Sequence, residues 1–209
     1  MSRVRYGSGE GELTPIIVLI IVNFLVYIGV NIAIRLLGVN ILPYLALPGT
    51  TFFLSPEAFL LAPWTVLTYM FTHADFFHIL ANMVTLYFYG SFLNRLTGVK
   101  TFLSIYFIGG LVAGLFILLL SSPSPGTIGA SGAIFALGGA LAVLTPKLKV
   151  FIFPIPVPMQ LWVAILIGFL ILSLPVAGYF GISWQGHLGG LLTGLAAGWF
   201  LRKRIRVIY

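Results

Sequence analysis

The sequence predicts an all-α integral membrane protein whose chain crosses the bilayer six times. Hydrophobic residues make up 60% of the 209 residues and charged residues only 7%, against roughly 25% charged in a typical soluble domain. Several long apolar stretches match the roughly 20 residues that a transmembrane helix needs. The basic residues lie in small groups between these stretches, a pattern typical of membrane topology. This composition excludes a soluble enzyme and a disordered chain.

The predicted elements form one membrane domain between two short tails. Residues 1–14 are predicted to be a cytoplasmic tail, residues 15–201 the six-span domain, and residues 202–209 a basic cytoplasmic tail. The spans are predicted at about 16–37, 76–96, 101–120, 131–145, 157–174 and 183–201.

The segment 38–70 is hydrophobic, but four prolines break it into pieces too short to cross a bilayer. We therefore predict a large interfacial loop between the first two spans, with short helical pieces in the headgroup region. Trp64 and Tyr69 are aromatic residues of the kind that are enriched at this depth.

The basic residues predict that both termini face the cytoplasm. With the N-terminus inside, Arg35 is the only basic residue on the outer side. The ten predicted inside are Arg3, Arg5, Arg95, Lys100, Lys147, Lys149, Arg202, Lys203, Arg204 and Arg206. This grouping predicts contact with membrane lipid and argues against nucleic acid as a partner. We expect the plasma membrane of a prokaryotic cell, and the sequence leaves the oligomeric state open.

Three polar residues are predicted at one depth. Spans two, four and six run from outside to inside, and His78, Ser131 and His187 lie near their starts. Polar groups at membrane depth are costly and usually face a protein interior or a water-filled cavity. Asn82 follows His78 by four residues and so projects from the same helix face.

Ser131 lies within Gly129-Ala130-Ser131-Gly132, so small residues flank its hydroxyl and a substrate backbone can approach it. The polar loop before it places Ser131 at a helix N-terminus, where unpaired N–H groups and the helix dipole favour an oxyanion. The same residues also suit simple helix packing, because small residues are common where membrane helices touch.

Gly190 and Gly194 share the helix face of His187 and allow that face to press against another helix. If the partner is span four, His187 comes within reach of Ser131 as a base for its hydroxyl. The outward acids, Glu57 and Asp75, lie in or beside the interfacial loop, so the predicted centre is a dyad.

Other chemistries lack the residues they need. The chain has no cysteine and no H-E-x-x-H motif for zinc, and no pair of carboxylates lies within the spans for an aspartyl mechanism. We therefore predict no metal site and no cofactor.

In this order, on spans two, four and six, the motifs resemble those of the rhomboid family of intramembrane serine proteases. They are His78-x-x-x-Asn82, Gly129-x-Ser131-Gly132 and His187-x-x-Gly190-x-x-x-Gly194. The resemblance extends from about Trp64 to Gly194 and implies a rhomboid six-helix bundle.

The resemblance implies that Ser131 is the nucleophile and that His187 acts first as general base and then as general acid. His78, Asn82 and the Ser131 backbone N–H would bind the oxyanion. The supporting positions would be Gly129, Gly132, Phe135, Gly190 and Gly194. The implied activity is that of a serine endopeptidase that cleaves single-span membrane proteins in or near their transmembrane segments.

Several positions depart from the family pattern. Phe135 stands where a Tyr usually packs on the catalytic His, and Trp64 is followed by Thr65 instead of Arg. Gly186 replaces a common Ala, and Asn94 stands where many relatives have Glu. These departures concern packing and leave the dyad intact.

The implied substrate helix must unwind before cleavage, because its carbonyl groups are already hydrogen-bonded. The resemblance suggests lateral entry of the substrate, with span five and the loop at 175–182 as the moving parts. Two other functions remain open on the residues alone. One is a non-catalytic scaffold or chaperone that binds the spans of client proteins, and the other is a transporter.

The dyad predicts a pH dependence. His187 accepts the serine proton only when its imidazole is neutral, so activity should fall on the acid side of the ordinary histidine pKa of about 6.5. The initial rate of peptide cleavage across a pH series measures this. An activity that stays flat well below the histidine range would contradict the role of His187.

Overall fold

The computed structural model describes residues 14–48, 62–121, 126–152, 155–173 and 183–203. This part of the chain contains seven α-helices, two short 3-10 helices and one two-stranded sheet. In chain order they are α1 (Thr14–Arg35), a 3-10 helix (Leu42–Tyr44), α2 (Thr65–Thr68), a 3-10 helix (Tyr69–Phe71), α3 (Phe76–Thr97), α4 (Val99–Leu120), α5 (Ser131–Leu144), β1 (Lys149–Ile152), β2 (Ile155–Gln160), α6 (Leu161–Ser173) and α7 (Trp184–Leu201).

Three helices, α1, α3 and α4, are long and apolar enough to cross a membrane. α5 and α6 are apolar but have only 14 and 13 residues, and α7 has 18. Five of the six predicted spans coincide with a helix to within about two residues at each end, and the fifth does not. The helical membrane character is therefore confirmed, whereas the count of six crossings and their orientation stay predictions.

The all-α prediction is wrong where an antiparallel hairpin separates α5 from α6. β1 pairs with β2 through Lys149–Gln160, Val150–Met159 and Ile152–Ile155. Residues 157–160, predicted as the start of the fifth span, lie in β2, and the helix begins only at Leu161. Prolines at 154, 156 and 158 explain the difference, because each lacks an N–H donor and disfavours helical dihedrals in the residue before it.

α5 lies at the centre of the bundle, in contact with α3, α4, α6 and α7. Ten of its 14 residues are buried, and most of them are small or aliphatic. The outer helices instead expose large apolar side chains, such as Leu25 on α1 and Phe88 on α3. Such a surface suits contact with lipid acyl chains. α5 is mostly buried between the other helices and therefore lies farthest from the lipid.

α5 and α7 pack backbone to backbone and run in the same direction. A Cβ atom on Gly190 would overlap the carbonyl oxygen of Gly132, and one on Gly194 would overlap that of Ala136. One on Gly198 would lie 2.8 Å from the carbonyl oxygen of Ala140, one further turn along. Only a residue without a side chain permits so close an approach.

The described parts of the segment 38–70 are ordered by contacts with the bundle. Leu47 exchanges two backbone hydrogen bonds with Thr127, of 2.9 and 2.8 Å, in the loop before α5. Trp64 is half exposed, and its ring Nε1–H donates to the carbonyl of Tyr44 at 2.8 Å. The short helical pieces are confirmed, and the depth of this segment in a membrane stays a prediction.

Tyr69 is not the interfacial aromatic residue that the sequence suggested. Its side chain is 2% exposed, and its hydroxyl donates to the carbonyl oxygen of Gly110 in α4 at 2.6 Å. A glycine at 114, one turn further on, leaves room for the ring, since a Cβ there would lie 3.3 Å from Tyr69 Cε1. Tyr69 therefore packs in the core, and burial raises the pKa of its hydroxyl.

Several predicted features lie outside the described residues. They are the first 13 residues of the cytoplasmic tail, residues 49–61 of the interfacial loop with Glu57, residues 122–125 before α5, the proposed moving loop at 175–182, and residues 204–209 of the basic tail.

The glycine contact between α5 and α7 predicts an effect on stability. Gly194→Ala should lower the free energy of unfolding by about 1–3 kcal/mol or more, because the added methyl meets a backbone carbonyl that cannot move aside. Gly168→Ala on α6 is the matched control, since nothing lies within 4 Å of its Cβ position, and it should be neutral or stabilising. Thermal unfolding in detergent measures both. Equal melting temperatures for the two variants would contradict the close packing.

Candidate active site

Ser131 and His187 meet across the α5–α7 contact. Ser131 is the first residue of α5, and His187 lies in the first turn of α7. The Ser131 Oγ and the His187 Nε2 are 2.8 Å apart. His187 is buried, whereas Ser131 is partly exposed. This is the distance expected between a hydroxyl nucleophile and its base.

Among the described residues, nothing hydrogen-bonds the other ring nitrogen of His187, Nδ1. Within the described part of the chain, the Ser131–His187 pair therefore has no third member. The imidazole is held by packing instead: the Phe135 ring lies against it with centroids 4.6 Å apart and planes tilted by 39°. Phe169 of α6 contacts the Phe135 ring edge-on, at a centroid distance of 6.0 Å. The sequence analysis missed Phe169, because no spacing rule connects α6 to this stack.

The turn before α5 places Ser131. Gly129 has a φ of +129°, a backbone conformation that residues with a side chain rarely adopt. Its N–H donates to the carbonyl of Tyr69 at 2.8 Å. Ala130 is the N-cap residue and provides no side-chain cap. The first N–H groups of α5 therefore have no partner within the helix, and the positive end of the helix dipole lies beside Ser131.

His78 faces the same point from α3. A Cβ on Gly129 would lie 2.8 Å from the His78 Nε2 and 3.9 Å from the Ser131 Oγ, so Gly129 keeps the space between the two side chains open. The Ala74 N–H donates to the His78 Nδ1 at 3.4 Å. A neutral imidazole that accepts at Nδ1 carries its proton on Nε2, which is then a donor toward the pocket.

Asp75 fixes His78 in the first turn of α3. It is the N-cap residue, and its carboxylate accepts the backbone N–H of His78 at 2.9 Å. Asn82, one turn later, is buried and donates its side-chain amide to the His78 carbonyl at 2.8 Å. An amide nitrogen has two protons, so one remains for a ligand.

The start of α7 is fixed by Ser183, the N-cap residue, whose hydroxyl accepts the Gly186 N–H at 3.3 Å. Gln185 donates its side-chain amide to the carbonyl of Leu120 at the end of α4, also at 3.3 Å. Both residues help set the height of His187. The Gln185 contact could not be read from the sequence, because Leu120 lies 65 residues away, whereas the Ser183 cap is local.

His73 is a second residue that the sequence analysis left without a role. It is 2% exposed, and its ring contacts that of His78 edge-on at a centroid distance of 5.0 Å. Burial, and secondly the neighbouring His78, lower the pKa of His73 to about 4. His73 is therefore neutral at physiological pH.

Comparisons with known proteins identify the family of the chain. The rhomboid domain model matches residues 61–204, more than half of the chain. The chain belongs to the rhomboid family. Among the described residues, no group of three or more His, Asp or Glu side chains could hold a metal ion.

Several curated rhomboids are similar to this chain. Rhomboid protein 1, mitochondrial, of Saccharomyces cerevisiae is 30% identical over 84% of this chain and 54% of its own length. RHOMBOID-like protein 12, mitochondrial, of Arabidopsis thaliana is 34% identical over 66% of this chain and 46% of its own length. Rhomboid protease GluP of Bacillus subtilis is 33% identical over 64% of this chain and 25% of its own length. The chain thus spans about half or less of each relative.

Three residues that depart from the rhomboid pattern have defined surroundings in the structure. A Cβ on Gly186 would lie 2.9 Å from Ile117 Cδ1, so the usual Ala would require that side chain to move. Thr65 is buried and donates its hydroxyl to the carbonyl of Ala62 at 2.8 Å. Asn94 is buried near the end of α3.

Buried His73 predicts a pH-dependent stability. Its pKa is lower in the folded state than the ordinary 6.5, so its contribution is fully present above that value and is lost as pH falls toward 4. The full loss corresponds to about 3 kcal/mol. His73→Phe should flatten the dependence of melting temperature on pH between these two values. Identical pH profiles for variant and wild type would contradict the lowered pKa of His73.

Proposed function

We propose that this rhomboid is an intramembrane serine endopeptidase with Ser131 as nucleophile and His187 as base. The 2.8 Å approach of Ser131 Oγ to His187 Nε2 supports this proposal above all. Relatives such as the Rhomboid protease GluP of Bacillus subtilis also support it, because they are named as proteases. A scaffold that only packs helices would have no need for an imidazole aimed at a partly exposed hydroxyl.

In the proposed reaction, the Ser131 Oγ attacks the carbonyl carbon of a peptide bond while its proton passes to the His187 Nε2. The tetrahedral intermediate collapses as His187 returns this proton to the leaving amine, which leaves an acyl-serine. Water then attacks the ester by the same route and releases the acid product. No metal or cofactor takes part.

The oxyanion would lie between α3 and α5. The His78 Nε2–H, the Ser131 backbone N–H and the second amide proton of Asn82 are the donors in this proposal. His78 is the best placed of the side chains, because its Nε2 borders the space that Gly129 keeps open beside Ser131. Removing one such donor typically costs about 10²–10³-fold in rate.

We propose a six-span arrangement with both termini in the cytoplasm and the site in the outer half of the bilayer. α3, α5 and α7 begin at the end where Ser131 lies, and six of the seven described Lys and Arg residues lie at the opposite end. The exception is Arg35, which ends α1. The start of α1 lies beside the end of α3, since a Cβ on Gly90 would be 3.3 Å from the Ile16 side chain. α1 therefore runs antiparallel to α3, and its last residue lies at the Ser131 end.

The proposed substrates are single-span membrane proteins that enter from the lipid and unwind locally beside Ser131. The proposed partners are therefore other membrane proteins and lipid, and nucleic acid is not among them. The chain is an integral membrane protein. The relatives do not support a prokaryotic plasma membrane in particular, since two are named as mitochondrial, and that location stays a prediction.

The proposal is tested with purified full-length protein and a fluorogenic transmembrane peptide. Ser131→Ala and His187→Ala should each lower the cleavage rate by on the order of 10⁴-fold or more, because either change removes the activated nucleophile. His78→Ala should lower kcat by about 10²–10³-fold. Ser104→Ala, at an exposed position on α4, is the matched control and should leave the rate unchanged.

A fluorophosphonate probe supplies an independent measurement. It should label the wild-type protein and the Ser104→Ala variant at Ser131, and should label neither dyad variant. Cleavage that survives Ser131→Ala or His187→Ala would overturn the protease and favour a non-catalytic function.

A further inference from the structure

The hairpin of β1 and β2 has one face against the bundle and one face without a described protein neighbour. Val150 is partly buried against the core, as is Leu148 just before it. Phe151 is 72% exposed and Val157 is 60% exposed. An isolated two-stranded hairpin is marginally stable in water, and an exposed aromatic strand face invites aggregation. The outer face therefore needs a covering surface.

The position of the hairpin in the bundle indicates what covers it. It directly follows the end of α5 and precedes α6, so it lies at the end of the bundle opposite Ser131. Six basic residues are described at this end, and the only described carboxylate, that of Asp75, lies at the other. The six are Arg95, Lys100, Lys147, Lys149, Arg202 and Lys203. The local charge therefore suits an anionic surface.

Two tryptophan side chains lie at the same end of the bundle as the hairpin. The Arg202 guanidinium and the Lys203 ammonium lie 5.3 and 5.4 Å from the centre of the Trp199 ring. Trp162, in the first turn of α6, is 44% exposed. Exposed tryptophan beside basic side chains at helix ends is typical of the boundary between headgroups and acyl chains.

β1 carries a basic and an aromatic side chain that are both exposed. Lys149 and Phe151 flank Val150, which packs against the core, and the pairing of β1 with β2 becomes irregular between Val150 and Ile152. An exposed ring next to an exposed ammonium fits a lipid headgroup layer, where the ring reaches the acyl boundary and the ammonium meets phosphate.

We propose that the β1–β2 hairpin lies in the headgroup layer of a bilayer that contains anionic lipid and anchors the end of the bundle opposite the site. Phe151 inserts toward the acyl chains, and Lys149 contacts lipid phosphates. The inference depends on the membrane character of the chain and is independent of the proposed protease activity.

The absence of cysteine gives a direct test, because Phe151→Cys creates a unique labelling position in the full-length protein. The protein is labelled with an environment-sensitive fluorophore and reconstituted in vesicles of phosphatidylcholine and phosphatidylglycerol. Nitroxide lipids labelled near the headgroup should quench it more strongly than those labelled at the chain terminus, and more strongly than aqueous iodide. Phe88→Cys, at a 64% exposed position in the middle of α3, is the control and should be quenched most by the deep nitroxide.

The charge component is tested in the same vesicles. Adding phosphatidylglycerol to phosphatidylcholine should shift the emission at position 151 to the blue, and Lys149→Gln should remove this shift. Arg35→Gln, at the other end, should leave it unchanged.

Two results would overturn the proposal. Dominant iodide quenching would place the hairpin in water, and quenching by neither probe would place it against a second copy or another protein. Loss of the fluorophosphonate reaction at Ser131 would not bear on the hairpin, and melting temperatures of the labelled variants identify any that fail to fold.

Discussion

The contact between α5 and α7 governs the geometry of the site. A nucleophile and a base on separate helices meet only if the helix axes approach much more closely than side chains normally allow. Gly132 and Ala136 on α5 face Gly190 and Gly194 on α7. A methyl group on either α7 glycine would overlap the carbonyl oxygen of the α5 residue that it faces. In a membrane, where lipid is as apolar as the core, such van der Waals contact is the main source of helix association. Packing and chemistry thus depend on the same few glycines.

The same reliance on packing is seen around the imidazole. A carboxylate often orients the histidine in serine hydrolases, but buried charge at membrane depth is costly. Here Phe135 lies against the His187 ring, and Phe169 supports Phe135 from α6. Aromatic contact restricts the ring without adding a charge. Phe135 serves this purpose without the hydroxyl that a tyrosine would add.

The sequence predicted most of the helices because apolar length is a local signal. It singled out Ser131 and His187, which the structure brings to 2.8 Å, because polar groups are rare within the spans. It failed where contacts between residues far apart in the chain determine the local structure. Tyr69 looked interfacial by composition, yet the Gly110 carbonyl and the space beside Gly114 draw it into the core. The hairpin was missed because Val157–Gln160 is apolar enough for a helix, and alternating prolines carried the contrary signal. His73 and Phe169 could be recognised only after α3 and α6 were placed.

For the proposed mechanism, helix direction gives a reason why a site with no described acid beside His187 would still favour an anion. α3, α5 and α7 all begin at the end where His78, Ser131 and His187 lie, so the positive ends of three helix dipoles converge there. Asp75 is the one described carboxylate at this end, and it is engaged as the cap of α3, where it accepts the His78 N–H. Its charge therefore stabilises the helix that carries His78 and is not directed at His187. Fixed dipoles in a water-poor setting need no reorganisation when negative charge develops, and they substitute for mobile charges that a membrane interior would not tolerate.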